Sequence, residues 1–143
     1  MQIPKAIIFD VGGVLRYSAK ALHHSTKKAF EINEKEFSHL PEDLWRLRGF
    51  ESCNSIENNV RIIMALGKNK KSLNEILNSE NAENMLETLL KEPVDENLVK
   101  NISDEYTKNF ASPEVADMIE IYDGVKESLE KLKSNGILRA LGL

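Results

Sequence analysis

Cysteine, proline and aromatic residues are scarce in this 143-residue chain: one Cys, four Pro and 6% Phe, Trp and Tyr. Cys53 has no second cysteine to pair with, so no internal disulfide can hold the fold, and a reducing compartment suits it. No histidine lies near it in sequence to activate the thiol, and it reads as a small, partly buried residue. No apolar stretch approaches the ~20 residues of a membrane span. The apolar run near the start is too short for a secretory signal and leads straight into Asp10, so the cytoplasm is the expected compartment. Charge of one sign is not concentrated either. The net charge is −4 and no basic block occurs, so neither nucleic acid nor an anionic membrane is an expected partner. What is present, 41% hydrophobic and 29% charged residues, suffices for a globular protein with a real core.

The most informative stretch is Lys5-Ala-Ile-Ile-Phe-Asp10-Val-Gly-Gly-Val-Leu15. Ala6 to Phe9 are apolar on both faces, which predicts a buried strand. Asp10 then stands at the strand's carboxyl end, where open α/β sheets bind their ligands. Gly12 and Gly13 permit a sharp turn and close approach of the backbone to a ligand. An Asp at a strand end is also an ordinary turn residue, so the residues alone leave catalysis and turn-making open.

From Leu15 to about Ile121 the pattern is helix and turn. Ser18 is a cap for a helix through Ile32, with a thin stripe of Leu22, Ala29 and Phe30. Pro41-Glu42-Asp43 opens a helix bearing Leu44, Trp45 and Leu47 and stopped by Gly49. Ile56, Val60, Ile63 and Met64 mark the next, with Gly67 as its predicted stop. Lys68 to Lys71 is a solvated basic turn. A short helix over 72–77 follows, then one over 81–91 ended by Pro93. In the segment 95–110, Leu98, Ile102, Tyr106 and Phe110 fall four apart with Val99 beside them. Ser112-Pro113-Glu114 opens a last short helix through Ile119. About five one-sided helices with short turns predict an antiparallel bundle. Asp123-Gly124 is then a turn, Val125, Leu129 and Leu132 mark an amphipathic helix, and 137–143 is a second strand. The two strands are expected as parallel neighbours joined by a right-handed crossover that contains the helical insert.

The run Phe9-Asp10-Val11-Gly12-Gly13-Val14-Leu15 resembles the first motif of the haloacid dehalogenase-like (HAD) superfamily. So does the order of the chain: members with a helical cap carry it directly after that motif. They return through a Tyr-Pro-Gly-Val segment, a helix, Gly and a strand. Ile121-Tyr-Asp-Gly-Val125 and Leu129 to Gly136 are similar, with Asp123 in place of Pro. Leu47-Arg48-Gly49 resembles a cap motif of phosphosugar-handling members. The resemblance implies an α/β fold, a partial Rossmann-like core with two parallel strands over residues 1–16 and 121–143, and a dominant helical-bundle cap over 17–120.

It implies a Mg²⁺-dependent phosphatase acting on a small phosphorylated metabolite. Asp10 would be the nucleophile and a metal ligand, forming an aspartyl-phosphate. The Gly12 carbonyl would be the second metal ligand, and the amides of Gly12 and Gly13 would cradle the phosphate. Arg48 would reach the substrate from the cap, because a guanidinium binds oxyanions bidentately; a surface arginine beside Gly49 is the equal alternative. Gly12 departs from the family, where an Asp commonly protonates the leaving group. Haloacid dehalogenases also lack that acid, which makes a dehalogenase-type hydrolase the alternative, although they usually carry an aromatic there. Leu143 falls about where the family's Ser or Thr motif belongs, and the later Lys and acidic pair have no counterpart. Little or no turnover is therefore expected of this chain alone. A non-catalytic derivative that self-associates through the bare edge of the first strand is the third reading.

Other residues carry less. His23, His24 and His39 read as exposed histidines without a third ligand at a useful spacing. Trp45 and Arg46 read as core and surface. The acidic stretch from Glu80 to Glu92 reads as a solvated face.

Overall fold

A computed structural model describes residues 3–69 and 71–142. In chain order the elements are β1 (Ala6–Phe9), β2 (Arg16–Tyr17), α1 (Ala19–Ile32), α2 (Pro41–Leu47), a 3₁₀ turn (Glu51–Cys53), α3 (Ile56–Asn69), α4 (Leu73–Leu77), α5 (Ala82–Leu90), α6 (Glu96–Phe110), α7 (Pro113–Ala116), β3 (Glu120–Ile121), α8 (Val125–Ser134) and β4 (Leu138–Leu141). The chain divides into a helical unit, Ala19–Ala116, and an α/β unit formed by the residues before and after it. An α/β fold with a large helical content is what the sequence predicts.

Local chemistry sets most boundaries of the helical unit. Pro41 stands at the start of α2, with Glu42 and Asp43 in its first turn, where acids meet the helix's positive end. Asp95 caps α6: its Oδ1 accepts from the Leu98 amide at 3.1 Å. The stripes then meet in one core. Phe30 of α1, Leu44 of α2, Ile62 and Leu66 of α3, Leu86 of α5 and Ile102 of α6 are all at most 2% exposed. The α1 face is broader than the predicted stripe, with Ala19, Ala21, Ser25 and Thr26 also buried. The smallness of Ala21, Ser25 and Ala29 lets another helix approach closely, and α6 packs against α1. Cys53 is fully buried, and burial pushes its thiol pKa up, so it is no nucleophile.

Two helix limits differ from the prediction. Gly67 does not stop α3, which continues to Asn69; a glycine on an exposed face costs a helix little enough to be tolerated. The helix after Ser112 ends at Ala116 rather than Ile119, because Glu120–Ile121 is drawn into a strand.

The histidines are half-buried rather than exposed. His23 Nε2 donates to the His39 carbonyl oxygen at 2.8 Å, and the His23 and His39 rings both meet Phe37 edge-on. Phe37 in turn rests on Phe30. The histidines thus pin the connection between α1 and α2 onto α1. His24 lies 3.5 Å from a Glu114 carboxylate oxygen. Among the described residues no three His, Cys, Asp or Glu side chains group to hold a metal.

In the α/β unit, β1 and β4 pair in parallel, with Ala6 opposite Leu138 and Phe9 opposite Leu141. The expected parallel neighbours are therefore present, β4 being shorter than predicted; Leu143 lies outside the described residues. A second, unforeseen pair joins β2 to β3 antiparallel, Arg16 opposite Ile121. Asp123-Gly124 forms the predicted turn, with Gly124 at φ 79° and α8 beginning at Val125. The expectation of a buried β1 fails. Ile8 is 73% exposed and Leu138 71%, and no residue of β1, α8 or β4 is fully buried. An apolar run on both faces fixes what a strand could bury and does not supply the layers to bury it.

Burial lowers the His39 pKa, outweighing the nearby Asp43 carboxylate that raises it, and His23 lowers it further. The unfolded chain therefore binds a proton at His39 more readily than the fold does. Stability is full above pH ~6.5 and falls as pH drops from there toward the depressed folded value. Thermal melts from pH 7.5 to 5 should show this loss, and His39→Gln should flatten that part of the profile; a variant as steep as the parent would contradict the linkage.

Candidate active site

The six residues after β1 form a closed turn. The Val11 carbonyl oxygen accepts from both the Leu15 and Arg16 amides, at 3.0 and 3.1 Å, and the Gly13 amide donates to the Arg16 carbonyl at 3.0 Å. These bonds make a bridge between Gly12 and Arg16 that uses the groups flanking Gly12. Gly12's own N–H and C=O are left pointing away from it. Among the described residues neither the Gly12 nor the Val14 amide finds an acceptor. Gly13 has φ 77°, a conformation that L side chains avoid. Gly12 is constrained differently: a Cβ there would meet nothing within 4 Å.

Asp10 sits immediately before this turn, exposed, at the carboxyl end of β1. Its Oδ1 accepts from the Val11 amide at 2.8 Å, which fixes the carboxylate and leaves Oδ2 open. Asp10, Gly12 and Gly13 thus lie together on one exposed turn, but the Gly13 amide is taken by the Arg16 carbonyl, so the expectation that it cradles a phosphate fails; the turn's closure consumes it. Arg48 belongs to the helical unit, where its two Nη atoms lie 3.4 Å from Tyr106 Oη and from the Asn54 carbonyl. These are long bonds that leave donor capacity to spare.

The structure adds one residue that sequence reading passes over. Arg16 follows an apolar pair and looks like an ordinary strand residue. In the fold it closes the turn beside Gly12, and its half-buried side chain has a fully shielded Nε with no acceptor among the described residues. Only the turn's closure shows this, because five residues separate Arg16 from Asp10 in the chain.

The donors present suit a hard cation in kind, one carboxylate and one carbonyl oxygen, and Mg²⁺ commonly keeps waters and substrate oxygens as its remaining ligands.

Comparison with known proteins bears on the family and the fold. The family model described as haloacid dehalogenase-like hydrolase matches residues 4–142. The chain belongs to the haloacid dehalogenase-like hydrolases. Two solved structures share the fold. One is a candidate phosphoglycolate phosphatase from Lactobacillus delbrueckii subsp. bulgaricus ATCC BAA-365, at 20% identity and TM-score 0.58 over 96% of this chain and 53% of that one. The other is a predicted phosphoglycolate phosphatase from Haemophilus somnus 129PT, at 19% identity and TM-score 0.54 over 96% of this chain and 50% of that one. The chain therefore spans about half the length of the solved structures it matches. No curated protein matches the sequence.

The contrast between the two glycines is measurable. Gly13→Ala forces a left-handed alanine, at a cost of about 1–2 kcal/mol, whereas Gly12→Ala meets no atom. Amide exchange at Leu15 and Arg16 should therefore speed up by about fivefold or more in Gly13→Ala. It should stay near the parent rate in Gly12→Ala; equal rates in both variants would contradict the turn's geometry.

Proposed function

We propose that this chain carries the nucleophile half of a phosphohydrolase site that acts on small phosphorylated metabolites. The observation that carries the reading is the Asp10–Val14 turn: an exposed, oriented carboxylate next to amides that find no acceptor among the described residues. Family membership supports it, and so does the fold shared with two proteins described as phosphatases.

In this reading Asp10 Oδ2 attacks phosphorus, the bond from phosphorus to the ester oxygen breaks, and an aspartyl-phosphate forms; water then cleaves that anhydride. The Gly12 and Val14 amides hold the phosphoryl oxygens as charge grows on them. The Asp10 carboxylate and the Gly12 carbonyl would hold Mg²⁺, which when bound neutralises phosphate charge and aligns the attack. Gly12 has no side chain to protonate the leaving oxygen, so good leaving groups are favoured.

Hydrolysis of p-nitrophenyl phosphate with Mg²⁺ tests the reading, and activity should vanish in Asp10→Asn; activity that survives would remove Asp10 from the chemistry. Open space at Gly12 also admits an acid. Gly12→Asp should raise kcat for alkyl phosphates by about tenfold or more while changing p-nitrophenyl phosphate little.

A second reading is favoured by the exposed sheet. Among the described residues β1 has a strand partner on one side alone, and Ile8, Leu138 and Leu141 are exposed. We infer that copies of the chain associate through the free edge of β1. Sedimentation should show a concentration-dependent dimer that a proline at Ile8 abolishes; a monomer at high concentration would exclude it.

A further inference from the structure

Among the described residues nothing holds the Arg16 side chain. Of the five arginines in the sequence, four have acceptors: Arg46 donates to the Leu77 carbonyl and Asn78 Oδ1, Arg48 to Tyr106 and Asn54, Arg61 to Glu96, and Arg139 to the Leu129 carbonyl. Arg16 makes no side-chain hydrogen bond or ion pair among the described residues, and its Nε is shielded from water as well. A guanidinium always keeps its charge and presents a rigid fork of donors. Leaving that fork half-buried without an acceptor is unfavourable unless an acceptor arrives from outside.

The position of Arg16 says what kind of acceptor. Its backbone is locked to the turn through Val11 and Gly13. It is thus a basic residue fixed beside Gly12, whose amide also lacks an acceptor among the described residues. The other basic groups of the α/β unit lie elsewhere along it. Lys5 is at the opposite end of β1, Lys126, Lys131 and Lys133 are on α8, and Arg139 is tied to Leu129. Asp10 by itself would repel an anion. A phosphoryl group drawn to the turn's amides needs a compensating cation, and Arg16 is the one the turn's closure holds in place.

We propose that Arg16 is a substrate-binding residue: its guanidinium takes the phosphoryl oxyanion from one side while the Gly12 and Val14 amides take it from the other. The ligand class is a phosphate monoester bound through its dianionic end. The proposal rests on the phosphohydrolase reading for the identity of that ligand, and its test does not depend on turnover.

The probe is inorganic phosphate, titrated into the ¹⁵N-labelled chain and followed by NMR. The Arg16 Nε–H and the Gly12 and Val14 amide resonances should shift together with a single apparent Kd. Arg16→Ala should weaken that Kd by about tenfold or more, and Arg16→Lys, which keeps charge without the fork, should fall between. The Gly12 resonance in the unliganded variants should stay at its parent position, showing that the turn is intact. Amide shifts without an Nε–H shift, an Arg16→Ala variant that binds within twofold of the parent, or no shift at saturating phosphate would each overturn the proposal. Coupled shifts without Asp10-dependent turnover would leave the anion site standing while giving the hydrolase reading no support. Asp10-dependent turnover with unaltered binding in Arg16→Ala would do the reverse.

Discussion

The double use of one carbonyl oxygen organises the α/β unit. Val11 accepts from two successive amides, and this reverses the chain within six residues of β1. Three things follow from that closure. The groups of Gly12 are turned outward, because the bridge draws on its neighbours instead. Arg16 is brought next to Gly12. And β2 leaves the turn positioned to pair with β3, with Tyr17 and Tyr122 in ring contact 6.0 Å apart. The Leu15 carbonyl accepts from the Tyr122 amide at 3.2 Å, which ties the returning chain to the same turn. A site and a crossover point are therefore built from one local hydrogen-bond pattern, without a side-chain core.

The two units are held by different physics. The helical unit closes a continuous apolar cluster in which Leu47, Val60, Ile62, Leu86 and Ile102 have no exposed surface. Part of its polar interior is hydrogen-bonded, Thr26 to the Leu22 carbonyl within α1 and Asn109 of α6 to the Ser25 carbonyl of α1. The α/β unit relies on backbone pairing, with Val125, Leu129 and Leu132 of α8 only half-buried. Backbone hydrogen bonds in contact with water contribute modestly net of hydration, so that unit has little of the burial that ordinarily dominates stability.

What the sequence makes legible follows from this difference. Helices of the insert are readable because caps, prolines and stripes agree: Asp95 does bond Leu98, Pro41 does open its helix, and Ile102 and Tyr106 do face the core. The turn carrying Asp10, Gly12 and Gly13 is readable because its residues are contiguous and glycine marks it. Three features are not readable. Strands of two residues, such as Arg16–Tyr17, are too short to show a period. Burial of β1 depends on layers outside the strand. And the lack of an acceptor at Arg16 among the described residues is a property of closure, which no composition or spacing records.

The open faces of β1 and β4 have a calorimetric consequence. Enthalpy, heat capacity and denaturant sensitivity of unfolding all scale with the surface a transition newly exposes. Strands that already show Ile8 and Leu138 to water add little to any of them. A melt of this chain therefore reports the helical unit almost alone, and a two-state fit describes Ala19–Ala116 rather than the turn that carries Asp10.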